Sequence, residues 1–125
     1  EELLALLAKY DFEVMVPEEH SLAGQISFMT NSVCTIAPHG ANAALALFQK
    51  RKGMLLECFG QKYVNFCNLP IANLLKLLYI PLPQDVHSGS RVYMVDDETR
   101  NDDFTVNLRL VETILGNLKN GSYGL

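Results

Sequence analysis

Two short apolar runs constrain this chain more than any other feature: "SVCTIA", residues 32–37, and "MLLECF", residues 54–59. Each has the length of a strand, and neither alternates polar with apolar residues as a half-exposed strand does. Continuous apolar strands are those buried on both faces, as in parallel sheets. Parallel neighbours need a crossover, usually a helix. Residues 41–50 supply one: Ala41, Ala44, Leu45 and Phe48 fall on one helical face, and Gly53 closes the segment. "YIPL", residues 79–82, reads as another strand, after a helix that opens near Pro70 and carries Ile71, Leu74, Leu75 and Leu78. Upstream, residues 2–10 read as a helix and "FEVMV", residues 12–16, as an alternating strand. Residues 21–31 read as a helix capped by Ser21, with Leu22, Ile26 and Met29 on one side. This alternation predicts an α/β fold, Rossmann-like, with a mainly parallel sheet of four strands flanked by helices.

Past Pro83 the pattern weakens. Residues 84–103 form a polar loop region in which "RVYMV" makes a doubtful strand. Residues 104–119 read as a C-terminal helix capped by Asp103, with Phe104, Leu108, Val111, Leu115 and Leu118 in a stripe; "GSYGL" is a frayed tail.

A chain of 125 residues holds one core of two or three layers, so residues 1–125 are read as a single domain. Its net charge of −4 offers no basic surface, which argues against nucleic acid as a partner. An anionic ligand stays open, because backbone amides at a helix start hold anions without a lysine excess. No apolar run reaches membrane-spanning length and no signal pattern opens the chain, so no membrane contact is expected of this segment. "EELLALLAKY" has the character of a mid-domain helix, and the chain reads as part of a longer protein. Cys34, Cys58 and Cys67 are too few and too apolar in setting for a disulfide framework, and without CxxC spacing no zinc site is expected. The acidic cluster Asp96-Asp97-Glu98 with Asp102-Asp103 lacks EF-hand spacing and reads as a solvated loop. His20 and His87 read as solvated.

The stretch "TIAPHGANAALALF" places an ionisable ring and a glycine where a strand becomes a helix. Gly40 admits a positive φ and lets a ligand approach the main chain. The amides of Ala41, Asn42 and Ala43 would then face outward at the positive end of a helix, an arrangement suited to a phosphate or diphosphate, with His39 as a further donor. The same residues also suit a bare turn. Glu57, a carboxylate at the end of an apolar strand, needs a donor, a cation or water. It fits a contact to a sugar hydroxyl or a cap on the next loop. Tyr63, Asn65 and Asn68 are candidates for the lining of the same mouth. No nucleophile elbow, P-loop or GxGxxG turn is present.

Taken in order, "EVMVPEEHSLAGQISFMTNSVCTIAPHGANAALALF", "MLLECFG" and "ANLLKLLYIPL" resemble the C-terminal part of family 61 glycosyltransferases over residues 11–82. The most specific matches are Gln25, Pro38-His39-Gly40-Ala41, Phe48, Glu57 and Tyr79. The resemblance implies one half of a GT-B architecture, the half that supplies most contacts to a nucleotide-sugar donor. It implies transfer with inversion from a UDP-sugar of N-acetylglucosamine, xylose or arabinose type to a glycan or glycoprotein acceptor, with no cofactor or metal required. His39, Gly40 and Ala41 would lie against the donor phosphates, with Asn42 beside them, and Glu57 near the nucleotide or sugar. The catalytic base would come from the missing N-terminal domain of the same protein. For a eukaryotic parent the setting would be the Golgi or endoplasmic reticulum lumen, and Asn120-Gly121-Ser122 is a formal glycosylation sequon compatible with it. The sequence departs from the family after the His-Gly-Ala triplet, where Asn42-Ala43-Ala44-Leu45 lacks a threonine-asparagine pair, and at Gly24, where an acidic residue is usual. The alternative is a Rossmann-like module that binds a nucleotide or a partner domain without catalysis.

Overall fold

The computed structural model describes residues 1–60, 63–84 and 103–124. The doubtful strand "RVYMV", His87 and the acidic residues 96–102 lie outside the described residues. Among the described residues, three parallel strands form a sheet: β1 (Cys34–Pro38), β2 (Met54–Phe59) and β3 (Leu78–Pro83), in the order β1-β2-β3. Cys34 pairs with Met54, and Met54 with Leu78. Strand β2 is central and buried along its whole length, as its unbroken apolar pattern requires. Alternate residues of β2 serve two cores. Met54, Leu56 and Cys58 face α1 (Glu2–Ala8) and α4 (Leu108–Lys119) through Leu6, Leu7, Val111, Ile114 and Leu115. Leu55 faces the other side, against Ala46, Ala72, Leu75 and Leu77. The chain is therefore α/β with helices on both faces of a parallel sheet, coarsely as expected.

The crossover from β1 to β2 is a 3₁₀ helix, Ala41–Phe48, rather than the expected α-helix. In a 3₁₀ helix residues three apart eclipse. The buried positions are accordingly Ala43, Ala46 and Gln49, while Ala41 and Phe48, placed on the inner face by an α-helical reading, are exposed. Two methyl side chains let this helix lie close on the sheet. Gln49, the third, replaces packing with hydrogen bonds: Thr35 Oγ1 donates to its Oε1 at 2.6 Å, and its Nε2 donates to the Met54 carbonyl at 3.1 Å. Helix α2 (Leu22–Thr30) packs on the 3₁₀ helix, and Ser21 caps it by accepting from the Gly24 amide at 3.2 Å.

Residues 12–16 do not form the expected fourth strand. Both ends are tied elsewhere. Asp11 turns through φ 59°, the Phe12 amide donates to the Leu7 carbonyl, and the Val16 carbonyl accepts from Glu19 in the short 3₁₀ turn Pro17–Glu19. These anchors hold the segment off the edge of β1 and leave a groove of about 670 Å³ between them. Helix α4 starts at Leu108, not Phe104. Asn107 caps it by accepting from the Leu110 amide at 3.0 Å, while Asp103 is exposed and Phe104 and Val106 pack on the core as irregular chain. Helix α3 (Leu69–Leu75) opens with Pro70 as expected but stops at Lys76 in a left-handed turn, so Leu78 begins β3 instead of ending the helix. Among the described residues no helix is long and apolar enough to cross a membrane.

Candidate functional site at the carboxyl end of the sheet

Glu57 is fully buried on the β2 face that looks toward α3. It has three partners. His39 Nδ1 lies 2.7 Å from Oε1, Asn68 Nδ2 donates to the same oxygen at 2.6 Å, and the Tyr79 hydroxyl donates to Oε2 at 2.6 Å. A buried carboxylate is tolerable when its oxygens are satisfied in this way. With Asn68 and Tyr79 donating to the same carboxyl group, the Nδ1 contact leaves Nε2 as the ring nitrogen without a partner in this cluster.

The His39 ring is fixed from three directions. Its amide donates to the Cys58 carbonyl at 2.7 Å, extending the ladder between β1 and β2 past Pro38. Its ring stacks on Phe59 at 4.9 Å and meets Tyr63 at 5.4 Å. Its side chain is 13% exposed, enough to touch a ligand with one edge. Next in the chain, Gly40 has φ 152°, a conformation that disfavours any side chain, and a Cβ there would meet nothing within 4 Å. The corner is open.

Sequence reasoning placed three amides there; the structure leaves two. The Ala43 amide donates back to the Gly40 carbonyl at 3.2 Å and Ala43 is fully buried. A 3₁₀ helix leaves its first amides without helical acceptors, and Ala41 and Asn42, whose amides these are, are both exposed. The Asn42 side chain donates to Glu18 Oε1 at 3.3 Å, which sets a carboxylate near this corner. Tyr63 is buried beneath the site and positions His39 rather than lining an open mouth. Asn65 is half-buried and hydrogen-bonds no other described residue.

Thus His39, Gly40, Ala41 and Glu57 come together, and Asn68, by sequence only a candidate for the lining, is a direct partner of Glu57. Phe59, under the imidazole, was missed. Tyr79 entered through the resemblance alone. Its physical signal is register: Tyr79 pairs with Leu55, two residues before Glu57, and so shares its face. Burial first, then the hydrogen bond to Glu57 and its charge, push the Tyr79 hydroxyl well above the usual phenol range, which keeps it a donor.

The groove beside β1 is a separate feature. It is lined by Phe12, Val14, Met29, Cys34 and Ile36 and reaches Pro38 and Asn42 at one end, without including His39 or Gly40. Among the described residues, no three His, Cys, Asp or Glu side chains converge as a metal-ligand set. Chemically, a clamped imidazole nitrogen and two main-chain amides around an open glycine can hold an anion, with the ring donating when charged and accepting a proton when neutral. In comparison with known proteins, no family model, no curated protein and no solved structure matches this chain.

Proposed function

We propose that the carboxyl end of this sheet binds the diphosphate of a UDP-sugar, and that the chain is the donor-binding part of an inverting glycosyltransferase. The observation that carries the reading is the buried Glu57 clamping His39 beside the open Gly40. A ring held with one nitrogen outward, next to a gap that no side chain fills, suits a ligand that presses on the main chain. Ligands of parallel α/β sheets gather beyond the carboxyl ends of the strands, where this cluster lies. The resemblance of residues 11–82 to family 61 supports the same site on independent grounds.

In this reading an acceptor hydroxyl attacks the anomeric carbon opposite the departing UDP, and negative charge grows on the leaving diphosphate. The amides of Ala41 and Asn42 and the His39 ring stabilise that charge more in the transition state than in the ground state. The reaction asks for no resident cofactor, and the base belongs to another part of the protein. The acceptor is a glycan or glycoprotein in the Golgi or endoplasmic reticulum lumen of a eukaryotic parent. The Asn42 side chain donates one hydrogen to Glu18 and keeps its second N–H and its main-chain amide for the ligand. The absence of the family's threonine-asparagine pair after Ala41 favours a second reading, a nucleotide-binding module without transfer.

Calorimetric titration with UDP tests the site. Wild type binds, while Gly40→Val and His39→Ala, shown to be folded by circular dichroism, lose binding. Binding that survives both substitutions removes the donor site. A sugar-transfer assay on the full-length protein then separates the two readings, since a binding module turns nothing over.

A further inference from the structure

The rings around Glu57 are not equally covered. Phe59 is fully buried under His39, Tyr63 is 8% exposed, and Tyr79 is tied to Glu57 through its hydroxyl. Phe66 is different: it is 39% exposed, although it belongs to the same cluster. It meets Phe59 at 6.1 Å and 72° and Tyr79 at 6.4 Å and 82°. Two near-perpendicular contacts fix the plane of the ring without hiding it. The rings that orient Phe66 are those that touch His39 and Glu57, so the exposed ring and the anion corner belong to one rigid unit.

We infer that Phe66 is a stacking platform for the flat ring of the phosphate-bearing ligand; this rests on the donor-site reading above. An exposed, pre-oriented phenyl ring beside an anion corner fits a ligand that carries both an anion and a ring. Aromatic side chains stack on nucleobases without needing hydrogen bonds. The carbon face of a pyranose offers a similar apolar surface, so the ring on Phe66 is either the base or the sugar of the donor. Neither Tyr63 nor Asn65 takes this role: one is buried and the other has no ring.

These 125 residues contain no tryptophan, so Phe66→Trp places a single indole among them as a reporter. It is titrated with UMP, with N-acetylglucosamine 1-phosphate and with inorganic pyrophosphate. The expected result is saturable quenching by one of the two ring-bearing ligands and none by pyrophosphate; which of the two quenches identifies base or sugar. Phe66→Leu, which keeps an apolar side chain without a π-face, weakens the ring-bearing ligand about tenfold and leaves pyrophosphate affinity unchanged. Unchanged affinity of Phe66→Leu for both ring-bearing ligands, with pyrophosphate still bound, overturns the platform and leaves the anion corner standing. Failure of the wild-type chain to bind pyrophosphate and UDP alike removes the donor site, and the platform with it.

Discussion

At the scale of the residue, Glu57 decides both stability and the shape of the site. Replacing it by leucine leaves the His39 ring N–H, the Asn68 amide and the Tyr79 hydroxyl without their acceptor. Each orphaned donor costs about 1–3 kcal/mol, so Glu57→Leu is expected to destabilise the fold by roughly 3 kcal/mol or more in urea denaturation. Glu57→Gln, which keeps an oxygen for His39, should cost distinctly less. The thiols make a second residue-level case. Burial pushes Cys34 up to about 12 and, together with the charge of Glu57, Cys58 up to about 11. The folded chain thus holds these protons more tightly than the unfolded one. Their stabilising contribution is complete below pH 9 and is lost as pH rises through 11 and then 12. Each buried thiol should lower unfolding free energy by about 1.4 kcal/mol per pH unit in that window. Denaturation at pH 8 to 11 should show the fall, and Cys34→Ala should make it shallower. Glu57 was visible in the sequence as an anomaly, a charge in an apolar strand. Its partners were not, because Asn68 and Tyr79 reach it only through the parallel register of β2 and β3 and the loop before α3.

At the scale of the element, strands were more legible than helices. The run at residues 54–59 announces β2 because burial on both faces demands continuous apolar sequence; the run at 32–37 marks β1 by the same pattern, although this strand is only half-buried beside the groove. The crossover was misread because alanine-rich sequence satisfies several helical periods, and only close approach to the sheet selects the threefold one. Gly53 shows the same pressure. The helical pattern of the sequence ends at it, yet a Cβ there would run into the Val33 carbonyl oxygen, the acceptor for the Met54 amide. Gly53→Ala must therefore push β1 and β2 apart where their ladder begins. A loss of about 1–3 kcal/mol or more is expected, with faster amide exchange at Met54. The cap of α4 provides a contrast: Asn107→Ala should cost about 1 kcal/mol, and Asp103→Ala little, in thermal denaturation of the two variants side by side.

At the scale of the whole molecule, the outer edge of β1, which no described strand covers, is the main departure from the sequence pattern. Val33 and His39 bond to β2 at the two ends of β1, so the odd residues of that strand face β2 and the amides of Cys34 and Ile36 face the groove. Residues 12–16 alternate as a strand should, and topology would place them parallel to β1. Their ends are instead held by the carboxyl end of α1 and by the turn at Pro17. Local alternation is thus present without the partner edge coming within reach, a conflict between pattern and anchoring that no reading of the segment alone can resolve. Amide exchange separates the two arrangements. With three strands, the amides of β2 are the slowest of the sheet, while Glu13, Val14, Met15, Cys34 and Ile36 exchange at rates near those of unstructured chain. Slow exchange at Cys34 and Ile36 together with alternate protection through residues 12–16 would mean a fourth strand closed on the groove, and the sequence pattern would have been the better guide to this edge.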